Sequence, residues 1–220
     1  MSREDCWYKD KCNKDCIGSC VRYSSMRSLF ELSGLPQSQW KSKSLKCGST
    51  DLDVFTRLSE IDMLGFVENG NNIYLYSEIC GNGKTSWAIK LMYNYFDQIW
   101  HKSGFDCKAL FISVPRFLYD CKRSISQQVL DYERQCSLIP EVDLVIWDDI
   151  SCADFTSFEY QIIFQYIDGR LNSGLSNIYT GNRNQSECES ILGSRLVSRI
   201  FGYSELIEFK EEDKRGKTNG

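Results

Sequence analysis

No stretch of this chain approaches the roughly 18 consecutive apolar residues that a membrane-spanning helix needs, so a transmembrane helix is excluded. The opening residues, MSREDCWYKDKC, are charged and offer no apolar region for a secretory signal. From these two absences the expectation is a cytoplasmic protein. A strong surplus of one charge is missing too. The 26 Lys and Arg against 30 Asp and Glu leave a net −4, which is not the balance of a strongly basic DNA-binding protein. No internal repeat is visible. The single histidine, His101, ends a predicted helix and reads as an exposed surface residue rather than a ligand.

What remains is the profile of a globular protein: 220 residues, 42% hydrophobic and 25% charged, enough for one domain of ordinary size plus a small appendage. The charge divides unevenly. Residues 1–50 carry nine Lys/Arg and five Asp/Glu, and the rest of the chain is acidic, which points to two parts with different partners. Eleven cysteines are many for a cytosolic chain. The singly scattered Cys107, Cys121 and Cys136 read as small buried hydrophobes. Cys6, Cys12, Cys16 and Cys20 instead follow one another as C-x5-C-x3-C-x3-C. Four thiolates so close, in a segment with little core of its own, point to a structural Zn²⁺ site. An iron–sulfur cluster and four unliganded thiols remain the alternatives.

Hydrophobic periodicity divides the chain at residues 1–50, 51–210 and 211–220: a cysteine-bearing arm and linker, a catalytic domain, and a solvated mixed-charge tail. In the arm, residues 21–33 read as a helix closed by Gly34 and Pro36, and residues 37–50 as a Ser/Lys-rich linker. Leu29, Phe30 and Leu32 are apolar positions that a small arm cannot bury alone, which marks them as a docking face for a partner helix; the alternative is that helix 21–33 folds back onto the domain. In the domain, Asp51 is placed to cap a helix. Apolar strands at 73–76, 109–112, 144–147, 176–180 and 206–209 alternate with helices at 85–100, 115–123, 125–137, 156–172 and 194–200. The pattern predicts an α/β fold whose parallel sheet is covered by helices on both faces.

The most specific signal is EICGNGKTS at residues 78–86, between a strand and a helix. Gly81 and Gly83, with Asn82 between them, let the backbone curl so that its N–H groups face phosphate oxygens. Lys84 reaches the β- and γ-phosphates, Thr85 offers a hydroxyl to Mg²⁺, and Ser86 continues into a helix whose positive end faces the anion. Glu78 stands where such a loop usually has its first glycine, and its carboxylate must turn away to avoid repelling the phosphates. Asp148 and Asp149 end the fully apolar strand 144–147. The expected roles are metal support for Asp148 and water activation for Asp149. Asn182, just past strand 176–180, can contact the γ-phosphate and orient the attacking water, with Thr180 as the neighbouring alternative. Arg195 and Arg199 share one helix face, and an arginine there can stabilise transition-state charge on a neighbouring subunit's nucleotide.

The segments GNGKTSWAIKL, LVIWDDI, NIYTGNR and GSRLVSRI, in this order and spacing, resemble the DnaC/DnaI family of helicase loaders, especially its phage-type members. The resemblance spans about residues 50–210. It implies an AAA+ P-loop ATPase core, ATP with Mg²⁺, and self-oligomerisation through the ATP sites. It further implies single-stranded DNA contact and a DnaB-type hexameric replicative helicase as partner. In the family pattern Asn182 matches the γ-phosphate sensor and Arg199 the arginine acting in trans. With 21 residues after Arg199, no room remains for the helical lid most AAA+ proteins append. The expected activity is slow, partner-stimulated ATP hydrolysis. Alternatives are an IstB-like ATPase assisting a transposase, a small-molecule kinase on the same loop, and a P-loop adaptor with weak hydrolysis.

Overall fold

Five short runs of mostly apolar residues form strands: β1 (Asn72–Tyr76), β2 (Ala109–Ser113), β3 (Leu144–Asp148), β4 (Ser176–Gly181) and β5 (Glu205–Glu208). They pair in parallel in the order β2-β3-β4-β1-β5. The computed structural model describes residues 6–8, 12, 20–40, 45, 48–151 and 155–211. The first four strands are buried along almost their whole length. Their unbroken hydrophobicity serves two cores at once, because successive side chains point to opposite faces. Ile73, Leu75, Phe111, Leu144 and Ile146 enter one core; Tyr74, Leu110, Ile112, Val145 and Trp147 enter the other.

The first core is covered by α1 (Val21–Leu32), α2 (Leu52–Glu60), α3 (Met63–Glu68) and α4 (Lys84–Ile99). The second is covered by α5 (Val114–Ser124), α7 (Ser157–Asn172) and α8 (Gln185–Tyr203), with α6 (Leu130–Leu138) packed on α5. This is the expected three-layer α/β architecture. Among the described residues no helix is long and apolar enough to cross a membrane.

Several local readings need correction. The helix expected from 125 begins only at Leu130, because Ile125 is 73% exposed and gives the chain no apolar anchor there. The helix expected at 194–200 is the second half of a longer α8. Asn184 starts it through a capping box with Glu187, and Gly193 (φ 73°) kinks it. The short α3 was not anticipated. Asp62 caps it, accepting from the N–H groups of Leu64 and Gly65. Asp51 does precede α2 but makes no side-chain cap. Its carboxylate accepts instead from the backbone N–H of Lys210 (2.9 Å) and Glu211 (3.1 Å), clamping the chain as it leaves β5.

The largest correction concerns the arm. Leu29 and Phe30 are not a free docking face. They are 1% and 0% exposed, and Leu32 is half-buried. Phe30 meets Phe96 of α4 edge-on at 5.2 Å between ring centroids and stacks on Trp7, Trp40 and Tyr93. The Ser33 carbonyl accepts from Phe111 N–H at the edge of β2. α1 therefore folds back on the domain, whose core offers it far more apolar surface than the arm could supply. Arg22 strengthens the attachment. Its guanidinium lies 3.6 Å over the Tyr8 ring and pairs with Asp97 of α4 at 2.6 Å, while the Tyr8 hydroxyl donates to the same carboxylate.

Cys16 and most of its neighbours lie outside the described residues, as do residues 41–44 and 46–47 of the expected linker and residues 212–220 of the tail. Cys6 accepts a weak hydrogen bond from Tyr8 N–H, Cys12 is exposed, and Cys20 precedes α1. Among the described residues no three His, Cys, Asp or Glu side chains are grouped to hold a metal, so the zinc expectation finds no support. The order seen around Trp7 and Tyr8 comes from aromatic packing. Phe30→Ala is therefore expected to destabilise the whole domain by about 3–5 kcal/mol in urea denaturation. A loss below about 1 kcal/mol would mean that α1 is not part of the core.

Candidate nucleotide site

The end of β1 turns directly into the phosphate-loop sequence. Ser77 is buried, and its hydroxyl accepts from Ile79 N–H, tightening the turn. Gly81 (φ 80°) and Gly83 (φ 108°) both lie in the left-handed region. At Gly83 a Cβ would meet nothing within 4 Å, so the backbone angle rather than crowding requires glycine. α4 then begins at Lys84, and its sixteen residues run away from the loop, leaving the positive helix end at the curl. The Lys84 amine donates to Ile79 O (3.0 Å) and Asn82 Oδ1 (3.2 Å). Asn82 is wholly buried, and its side-chain nitrogen has no partner among the described residues. A buried donor without an acceptor, beside a lysine and a helix N-terminus, fits a loop shaped for an anion. Glu78 and Ser86 are exposed, so the Glu78 carboxylate can be hydrated away from the curl.

β4 lies between β1 and β3 and brings the acidic pair to this loop. Leu75 pairs with Thr180 on one side, and Trp147 pairs with Tyr179 on the other. Asp148 Oδ1 accepts from both Thr85 Oγ1 and Thr180 Oγ1, each at 2.8 Å. Burial pushes the Asp148 carboxyl above its ordinary value, and the two hydroxyls oppose that rise in part. A hydroxyl and a carboxylate side by side, next to the loop, are the oxygen donors a Mg²⁺ ion takes when it also holds phosphate. Asp149 adopts φ 59°, rare for a residue with a side chain, and its N–H donates to Thr180 Oγ1 at 3.0 Å. Asn182 follows β4 half-buried, its N–H donating to Ser151 Oγ at 3.0 Å.

Lys84, Thr85, Asp148, Asp149 and Asn182 are thus gathered at the C-terminal ends of β1, β3 and β4. Arg199 is not gathered with them. It pairs with Asp168 of α7 (Nε to Oδ1, 2.6 Å) and donates to the Tyr203 hydroxyl. Arg195 is exposed, its guanidinium 4.9 Å from the Phe164 ring centre. Sequence reasoning missed the double role of Thr180 and the buried Ser151. Thr180 carried a signal in being a small hydroxyl residue in a strand end otherwise suited to a hydrophobe; Ser151 carried none.

The family described as IstB-like ATP binding protein matches residues 22–219. No curated protein matches the chain in sequence. Among solved structures, the DnaC helicase loader superposes with a TM-score of 0.59 at 17% identity, covering 80% of this chain and 100% of that one. DnaI superposes with a TM-score of 0.61 at 17% identity, covering 86% and 99%. DnaA from Aquifex aeolicus bound to AMPPCP gives 0.57 at 20% identity, covering 78% and 50%. The family match and these likenesses together establish an AAA+ P-loop ATPase fold.

The strained carboxylate yields a test. Because the folded-state pKa of Asp148 is raised, its ionised form costs stability above that pKa, and the cost vanishes below the unfolded value. Asp148→Asn keeps an acceptor for both threonines. It is expected to resist urea better than wild type at about pH 8, with the difference closing as the pH falls towards about 4. A variant no more stable than wild type at the higher pH would show that the carboxylate is not under strain.

Proposed function

The chain belongs to the IstB-like ATP-binding protein family, and from that premise we propose that it is an ATP-dependent loader of the DnaC/DnaI kind. It hydrolyses ATP slowly, binds a DnaB-type replicative helicase and helps place it on single-stranded DNA. The observation that carries the nucleotide chemistry is the convergence of Thr85 on Asp148 at 2.8 Å, at the start of the helix that opens with Lys84. The loader reading draws support from coverage. The DnaC and DnaI chains are matched over essentially their whole length, and the Aquifex DnaA chain over half.

In this reading the loop amides, Asn82 and Lys84 bind the β- and γ-phosphates. Thr85 and Asp148 hold Mg²⁺, which when bound neutralises phosphate charge. Asp149 accepts a proton from the attacking water, and Asn182 orients that water against the γ-phosphate. Arg199 serves the site of a neighbouring copy. The ion pair with Asp168 supports this, because it keeps the guanidinium on the α7 side of its own subunit. A second reading, an ATPase assisting a transposase, is favoured by the family description and uses the same site with a different client.

Lys84→Ala is expected to reduce ATP binding below detection by calorimetry at millimolar nucleotide, and Asp149→Ala to bind ATP without turnover. Wild type that binds no ATP under those conditions would falsify the active-site reading.

Mixing Arg199→Ala with Lys84→Ala protein should recover part of the hydrolysis, since each variant supplies what the other lacks. A mixture as inactive as either parent, at concentrations that allow assembly, removes the trans role.

For the client, the purified full chain with ATP and Mg²⁺ is expected to capture a DnaB-type helicase and not a transposase in a pull-down. The reverse pattern moves the protein to the second reading.

A further inference from the structure

Two buried hydroxyls at this site hold the residues to which the chemistry is assigned. Thr180, 1% exposed on β4, donates to Asp148 Oδ1 and accepts from Asp149 N–H, so a single oxygen touches both members of the acidic pair at the end of β3. The Thr180 carbonyl also accepts from Ile150 N–H at 3.0 Å. Ser151, 1% exposed in the turn after β3, works in the other direction. Its Oγ accepts from Asn182 N–H at 3.0 Å, and its carbonyl accepts from Arg183 Nε at 3.2 Å. Next to Thr180 in the chain sits Gly181, where a Cβ would lie 2.2 Å from the Tyr74 hydroxyl of β1 and 2.6 Å from Ser151 Oγ, so a side chain there would crowd both hydroxyls. Each strand end carries the peg that fixes the functional residue of the other.

The backbone gives this arrangement something to do. Asp149 sits at φ 59°, a conformation that strains a side-chain-bearing residue and persists only where surrounding contacts enforce it. The acceptor that meets its N–H is Thr180. A valine would match threonine in shape and suit the strand, yet would leave that N–H and one hydrogen bond to Asp148 unmet.

We infer that Thr180 and Ser151 are positioning residues forming a reciprocal latch between β3 and β4. Thr180 sets the direction of Asp149 and steadies Asp148, and Ser151 sets Asn182. The water-activating carboxylate and the amide that orients the same water are thereby held in one fixed relation. This inference rests on the ATP-hydrolysis reading above.

Single-turnover hydrolysis, with the full chain in excess over ATP, tests it beside ATP affinity measured by calorimetry. Thr180→Val is expected to slow the chemical step by about tenfold to a hundredfold, the range that misplacement of a reacting group causes, while ATP affinity stays within about threefold. Thr180→Ser restores the hydroxyl and should recover most of the rate. Ser151→Ala, which removes a small side-chain oxygen and adds no bulk, should slow the step without weakening ATP binding. Rates of Thr180→Val and Ser151→Ala both within about twofold of a hydrolysing wild type overturn the latch and leave the ATPase reading intact. Should Thr180→Val fail to fold, Ser151→Ala alone decides: an unchanged rate overturns the latch, and a selective loss of rate supports it. A wild type that binds ATP but never turns it over removes the activity and the latch together.

Discussion

A sheet buried on both faces leaves its polar groups only the strand ends, and the two ends of this sheet are treated in opposite ways. At the N-terminal end Arg170, 1% exposed, reaches under the sheet and donates to the carbonyls of Ile139, Val142, Asp143 and Ser176 and to Asn177 Oδ1. Burial lowers its pKa to about 10, yet the fork of donors is so fully used that the charge is held in place. That end is stapled shut. At the C-terminal end polar side chains are equally close to the core, but Asn82 keeps an unmet donor and Asp148 an uncomfortable burial. The same hydrophobic sandwich that seals one end leaves an unmet donor and a buried carboxylate at the other.

The strand order decides which polar groups meet. With β4 inserted between β1 and β3, the loop after β1 and the acids after β3 are two strands apart, and a residue at the end of β4 spans the gap. Thr180 occupies that position. Had β3 been the direct neighbour of β1, no third strand would have been needed and the acidic pair would have stood against the loop backbone itself.

Much of this was legible in the sequence, for reasons that differ by residue. The runs Leu144–Trp147 and Ile73–Tyr76 were readable because strands buried on both faces leave no polar alternation. The loop was readable because Gly81, Gly83, Lys84 and Thr85 each answer a separate demand of phosphate binding. The start of α8 was written in the sequence as Asn184 with Glu187 three residues on, but Gly193 broke the apolar period and only the second half stood out. The side of the domain on which α1 lies was not legible. Periodicity shows that Leu29 and Phe30 need apolar neighbours without saying whether those belong to this chain or another. Asp51 misled for a related reason. A carboxylate before a helix suits a cap, and nothing local reveals that backbone N–H groups some 160 positions later compete for it.

α4 joins two features that otherwise have nothing in common. Its first residue is Lys84, at the phosphate loop; Asp97, near its last turn, grips Arg22 and Tyr8 of the N-terminal segment. An α-helix of this length is a rod of about 24 Å, stiff on the scale of side-chain motion. Tilting such a rod by about five degrees at one end carries the other through about 2 Å, comparable to the difference between a made and a broken hydrogen bond. The N-terminal segment and the phosphate loop are thus attached to opposite ends of one stiff helix, so that a rigid tilt of α4 would move both.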